Sequence, residues 1–174
     1  MRMGLHRITG SADHMFREYV SAVRPPFVKM LDEWPRDLVE LCHANGTKVI
    51  GRVYFESQET RSADAAIARV ARAAATNPGV DMWELWNETH QDIGSASTYS
   101  DISIRFIDAM RAINKHAAIG SFSVGMPDLS YWPLYAPALR HAAAHGAAIA
   151  LHEYGGGPLG MEVGLEGFGP TLRG

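Results

Sequence analysis

A chain of 174 residues is long enough to bury one sizeable core. Its 47% apolar and 20% charged residues fit a globular domain rather than a disordered or membrane-embedded one. The net charge of −3 gives no electrostatic reason to expect nucleic acid or an anionic membrane as partner. Cys42 is the single cysteine, so an intramolecular disulfide is excluded. The opening Met1-Arg2-Met3-Gly4-Leu5-His6 lacks the apolar centre of a signal peptide, and no apolar run approaches the ~20 residues of a membrane span. The expectation is a soluble protein, cytoplasmic or secreted with its signal removed.

Strand-like and helix-like segments alternate along the chain. Residues 3–8 read as a short strand and 13–23 as a helix, stopped by Arg24-Pro25-Pro26. Residues 27–31 form a second strand. Pro35 opens the next helix, on which Leu38, Leu41 and Cys42 share a face, and Asn45-Gly46 ends it. Residues 47–55 are rich in β-branched and aromatic side chains and read as a third strand. Ser62 is placed to cap a helix whose apolar stripe is Ile67, Val70, Ala71 and Ala74. The turn Asn77-Pro78-Gly79 leads to a fourth strand over residues 80–86. Tyr99, Ile102, Phe106, Met110 and Ile113 line the next helix, and residues 117–124 make a fifth strand. A helix over 131–145 closes at Gly146, and residues 147–151 make a sixth strand. Beyond Gly155 the composition turns to glycine and proline.

Repeated βα units imply a parallel sheet with right-handed crossovers. Either a (β/α) barrel or an open doubly wound sheet satisfies that pattern. No G-x-G-x-x-G follows the first strand, which weakens the dinucleotide-binding version of the open sheet. A closed barrel has eight strands and about 250 residues. The pattern itself leaves both architectures open, and six strands would leave a barrel about two βα units short.

Trp83-Glu84-Leu85-Trp86-Asn87-Glu88 is the most informative stretch. It places an Asn-Glu pair where a strand hands over to a loop, the edge at which α/β folds bind ligands. Two-residue alternation puts Glu84, Trp86 and Glu88 in phase, and likewise Ile50, Arg52, Tyr54 and Glu56 on strand three. If these sets face a barrel interior, Glu84 needs a buried partner. Arg52 is the first candidate, with Lys29 and His6 behind it. Glycosidic cleavage needs a carboxylic acid at the leaving oxygen and a second carboxylate opposite. Glu88 could supply the first, Asn87 can both donate to and accept from a sugar hydroxyl, and Trp86 could stack on a sugar face.

The Asn87-Glu88 pair resembles the strand-four motif of the large glycoside hydrolase clan built on (β/α)8 barrels. In that clan the Asn contacts the sugar and the Glu is the general acid/base. Leu151-His152-Glu153-Tyr154 is similar to the clan's strand-six His-x-Tyr, in which the His lies near the substrate and the Tyr is bonded to the nucleophile. The openings Gly4-Leu5-His6, Ala12-Asp13 and Phe27-Val28-Lys29-Met30-Leu31, and the Arg-bearing Val49-Ile50-Gly51-Arg52-Val53, also look like barrels of this type. The resemblance favours the barrel and implies a TIM-barrel-like α/β domain over residues 1–157, incomplete at about six βα units, with a Gly-rich tail over 158–174. It implies catalysis by Glu88, and the residues expected around a carbohydrate substrate are Asn87, Trp86, His152, Tyr154, His6 and Arg52, with no cofactor or metal expected. The clan's nucleophile is a Glu at the end of strand seven. No strand seven is evident here, and Glu162 and Glu166 lie in the Gly-rich tail. A barrel open at two edges is expected to form a homo-oligomer, whose second subunit could supply the absent carboxylate.

Three other readings compete. Ser121-Phe122-Ser123-Val124-Gly125 resembles a nucleophile elbow with Ser in the first Gly position, so Ser123 with Asp128 and His152 would make a serine esterase. His141 and His145 lie one helical turn apart, but the Glu of a metalloprotease helix is absent between them, and two solvated histidines are expected. A non-catalytic carbohydrate-binding or assembly module with a vestigial site is the third.

Overall fold

The computed structural model describes residues 5–7, 13–55, 62–88, 96–123 and 127–151. The expected Gly-rich tail, with Glu162 and Glu166, and the strand-six pair His152 and Tyr154 lie outside the described residues. Strands β1 (Leu5–Arg7), β2 (Phe27–Leu31), β3 (Lys48–Arg52), β4 (Met82–Glu84), β5 (His116–Phe122) and β6 (Ala148–Leu151) alternate with helices α1 (Asp13–Val23), α2 (Arg36–Ala44), α3 (Ala63–Thr76), α4 (Ala96–Ala112) and α5 (Trp132–His145). A 3-10 turn, Leu129–Tyr131, precedes α5.

Every adjacent pair is parallel, and the strand order is β1-β2-β3-β4-β5-β6. That order decides between the two architectures. A doubly wound sheet reverses its winding at a switch point, whereas a barrel wall lays its strands down in sequence. Among the described residues the six strands form a curled, incomplete (β/α) barrel, as the resemblance implied.

The outer face of the wall packs on the helices. Val28, Met30, Val49 and Trp83 are buried there against Phe16 and Val20 of α1 and Leu38, Val39 and Cys42 of α2. Gly51 is required by that packing. A Cβ at this position would lie 2.9 Å from the Trp83 ring and 3.0 Å from the Trp34 Nε1. Trp34 in turn meets Trp83 edge to face, with ring centroids 4.7 Å apart. No helix among the described residues is long and apolar enough to cross a membrane.

Two differences from the expected elements shape the rim of the wall. The apolar run 80–86 pairs only at Met82–Glu84, because Leu85 and Trp86 leave the ladder and pack instead. In β5 the register shifts: Gly120 pairs with Ala150 and Phe122 with Leu151, so Ser121 is the extra residue of a bulge.

Candidate functional site

The register aligns Lys29 with Ile50, and Leu31 with Arg52, which aligns with Glu84 and on to Ala118. These residues alternate with the helix-facing set and therefore line the concave side. Glu84 is fully buried. The sequence named Arg52 as its first partner, but the structure gives Lys29 that place. Lys29 Nζ lies 2.5 Å from Glu84 Oε2, while Arg52 Nη1 stands 3.9 Å from Oε1. Ser121 Oγ also donates to Glu84 Oε1. Burial pushes the Lys29 ammonium below the ordinary lysine range. Arg52 adds to that shift, whereas Glu84 and Glu88 oppose it.

Arg52 serves the residue pair at the strand end. Its Nη1 donates to Asn87 Oδ1, so Asn87 is oriented from the wall below. Glu88 is partly exposed beside it and has a left-handed backbone, φ 58°. Its N–H donates to the Ser121 carbonyl at 3.0 Å. A non-glycine residue in that region costs on the order of 1–3 kcal/mol and persists only where its surroundings hold it. Three of the left-handed non-glycine residues, Asp32, Glu88 and Ser121, follow β2, follow β4 and sit near the end of β5. They share the C-terminal rim of the wall, where barrel enzymes carry their sites. The other two among the described residues, Arg24 and Asn114, follow helix ends, where such a conformation is ordinary. At the rim Asp32 Oδ1 accepts the Tyr54 N–H at 2.6 Å, and the Tyr54 side chain is exposed.

Of the residues expected around a sugar, the structure brings Asn87, Glu88 and Arg52 together. His6 lies in register with Lys29 and is exposed. Trp86 is placed differently. It is 1% exposed and meets Tyr99 of α4 with ring centroids 6.2 Å apart, so it shows no ring face to solvent. Strict alternation from Glu84 to Glu88 fails because the chain has already left the ladder. Sequence reasoning did not find the part played by Ser121, since the bulge that turns it has no period-two signature.

The triad of the esterase reading is not supported by its acid. Asp128 caps the turn before α5, accepting the Ser130 N–H at 2.8 Å and the Ser130 hydroxyl at 2.7 Å. His141 is bonded to Asp108, Nε2 to Oδ1 at 2.8 Å, and is not simply solvated. Among the described residues no three metal-ligating side chains cluster. A groove of about 540 Å³ lies away from the rim, lined by Trp34, Arg36 and His43 with the turn at Asn77 to Val80. It holds none of the concave-face residues.

No protein-family model matches the chain, and comparison with curated proteins gives no match. Solved structures do resemble it. D-psicose 3-epimerase with D-tagatose, from Clostridium cellulolyticum H10, aligns with a TM-score of 0.57 at 8% identity, covering 87% of this chain and 63% of that one. A xylose isomerase domain protein from Planctomyces limnophilus aligns with a TM-score of 0.48 at 11% identity, covering 85% and 72%. At such identity the epimerase shares a fold with this chain, and the chain spans less than two thirds of its length.

Proposed function

We propose that the chain acts on a carbohydrate, with Glu88 as the general acid/base of glycosidic bond hydrolysis. The observation that carries this reading is the Asn87-Glu88 pair at the C-terminal rim. Arg52 orients Asn87, and the Ser121 carbonyl holds Glu88 in a left-handed backbone. In this reading Asn87 bonds a sugar hydroxyl. The Glu88 carboxyl gives its proton to the glycosidic oxygen as the bond to the anomeric carbon breaks. The carboxylate then takes a proton from the attacking water. The sequence candidates for the carboxylate opposite Glu88 are Glu162 and Glu166, of this chain or of a second subunit.

The cationic wall favours a second reading. Lys29 and Arg52 lie on the concave face, and Glu88 acts electrostatically on Lys29. With Lys29 paired to Glu84, the net positive charge left on this face could stabilise an oxyanion formed when Glu88 removes a proton next to a sugar carbonyl, the step an epimerase needs. The two readings separate by product. Wild-type protein is incubated with a panel of aryl glycosides and, separately, with ketoses in deuterated water. Release of the aryl alcohol supports hydrolysis, and deuterium incorporation into recovered ketose supports epimerisation. Glu88→Gln lowers whichever is seen, for glycosides most strongly with a poor leaving alcohol, and full activity of that variant on such a glycoside and on ketose removes Glu88 from both.

A further inference from the structure

We propose that Ser121 is a positioning residue for Glu88, holding the backbone that carries its carboxylate through a closed circuit of contacts across β3, β4 and β5. The inference rests on the reading of Glu88 as acid/base and extends it to a residue in a different strand.

The circuit can be followed atom by atom. The Glu88 N–H donates to the Ser121 carbonyl at 3.0 Å. The Ser121 hydroxyl donates to Glu84 Oε1. Glu84 is paired with Lys29 at 2.5 Å and stands 3.9 Å from Arg52. Arg52 donates to Asn87, the residue next to Glu88, and so closes the loop. One serine thus grips Glu88 twice, directly by its backbone and indirectly through Glu84, Arg52 and Asn87.

Ser121 reaches this place only because β5 is bulged. In an unbroken ladder it would follow Ala117 and Ile119 onto the helix-facing side. The extra residue turns its hydroxyl toward Glu84 instead, which is what bulges beside functional sites commonly do. The bulge is itself held. Gly120 has φ 97°, a Cβ there would lie 2.9 Å from the Ala150 carbonyl, and the Tyr99 hydroxyl donates to the Gly120 carbonyl at 2.6 Å. Ser121 and Glu88 are both left-handed, at φ 49° and 58°, and they are hydrogen-bonded to each other.

The test compares Ser121→Ala and Ser121→Gly in the full chain. Both delete the hydroxyl. Glycine also accepts the left-handed φ without strain, so it keeps the experiment open if the alanine variant fails to fold. Both variants are expected to lose about 10- to 100-fold in kcat on an aryl glycoside with KM unchanged, as a small misplacement of a catalytic group does. The Glu88 amide is expected to exchange its hydrogen faster than in wild type, while β3 amides keep their protection. Wild-type kcat with unchanged Glu88 protection in both variants overturns the inference, and an inactive Glu88→Gln alongside leaves the acid/base reading standing. A fully active Glu88→Gln sinks the acid/base reading and the positioning role together.

Discussion

Replacing Lys29 with Met isolates the charge balance beneath the rim. Glu84 has no exposed surface, and its nearest cation is Lys29 at 2.5 Å. Removing one partner of a buried pair costs about 3–5 kcal/mol, because the remaining charge is left without compensation. Here Arg52 stays 3.9 Å away and Ser121 still donates to the same carboxylate, so the lower end, about 3 kcal/mol, is expected. For a domain of this size each kcal/mol moves Tm by about 2–4 °C, so the variant should melt about 6–12 °C below wild type. Urea titration and thermal unfolding followed by far-UV circular dichroism both read this. The double variant Lys29→Met/Glu84→Met removes the buried charge and should recover part of the loss. Arg52→Met, by contrast, should cost less stability than Lys29→Met and more activity, because Arg52 holds Asn87. A Lys29→Met variant within about 0.5 kcal/mol of wild type would refute the reasoning, since surface changes commonly fall in that range.

Tyr99→Phe should destabilise by about 0.5–1.5 kcal/mol, because it removes a buried hydrogen bond to the Gly120 carbonyl of the bulge, and urea titration measures it. Cys42 is fully buried, and burial pushes its thiol from 9.0 up to about 11. Native protein at pH 8 should therefore resist iodoacetamide and become alkylated on unfolding; rapid labelling of folded protein would count against the fold. The same group gives a pH slope. Between about 9 and about 11 the folded thiol keeps its proton while the unfolded one loses it, so stability should fall as pH rises, and Cys42→Ala should flatten that slope. Ser62→Ala should cost about 1 kcal/mol, because the Ser62 hydroxyl accepts the Ala65 N–H at 3.2 Å at the start of α3.

Much of the wall was legible in the sequence because its punctuation is local. Arg24-Pro25-Pro26 bounds α1 and β2 at the residues expected, Ser62 caps α3, and Gly146 closes α5 with φ 66°. The unbroken βα alternation implied a parallel sheet, but not the sequential strand order that separates a barrel wall from a doubly wound sheet. The sheet face of Glu84 and Arg52 was legible too, since alternation fixes the side of a strand. Reach was not. Lys29 sits one concave-facing position further from the rim than Glu84, and only its long side chain brings the ammonium to that carboxylate. The bulge at Ser121 was hidden because Ser121-Phe122-Ser123 looks like ordinary alternation. Trp86 was placed by a period that stops applying once the backbone leaves the ladder after Glu84.

The leaving-group dependence of Glu88→Gln tests the central claim most directly. A general acid is needed in proportion to how poor the leaving group is. With a glycoside of a poor leaving alcohol, the variant should lose about 10²–10⁴-fold in kcat/KM. With a dinitrophenyl glycoside, whose phenolate departs without protonation, the loss of that first step should be far smaller. Equal losses on both substrates would show that Glu88 supports the site without donating the proton. Unchanged turnover on both would contradict the assignment outright.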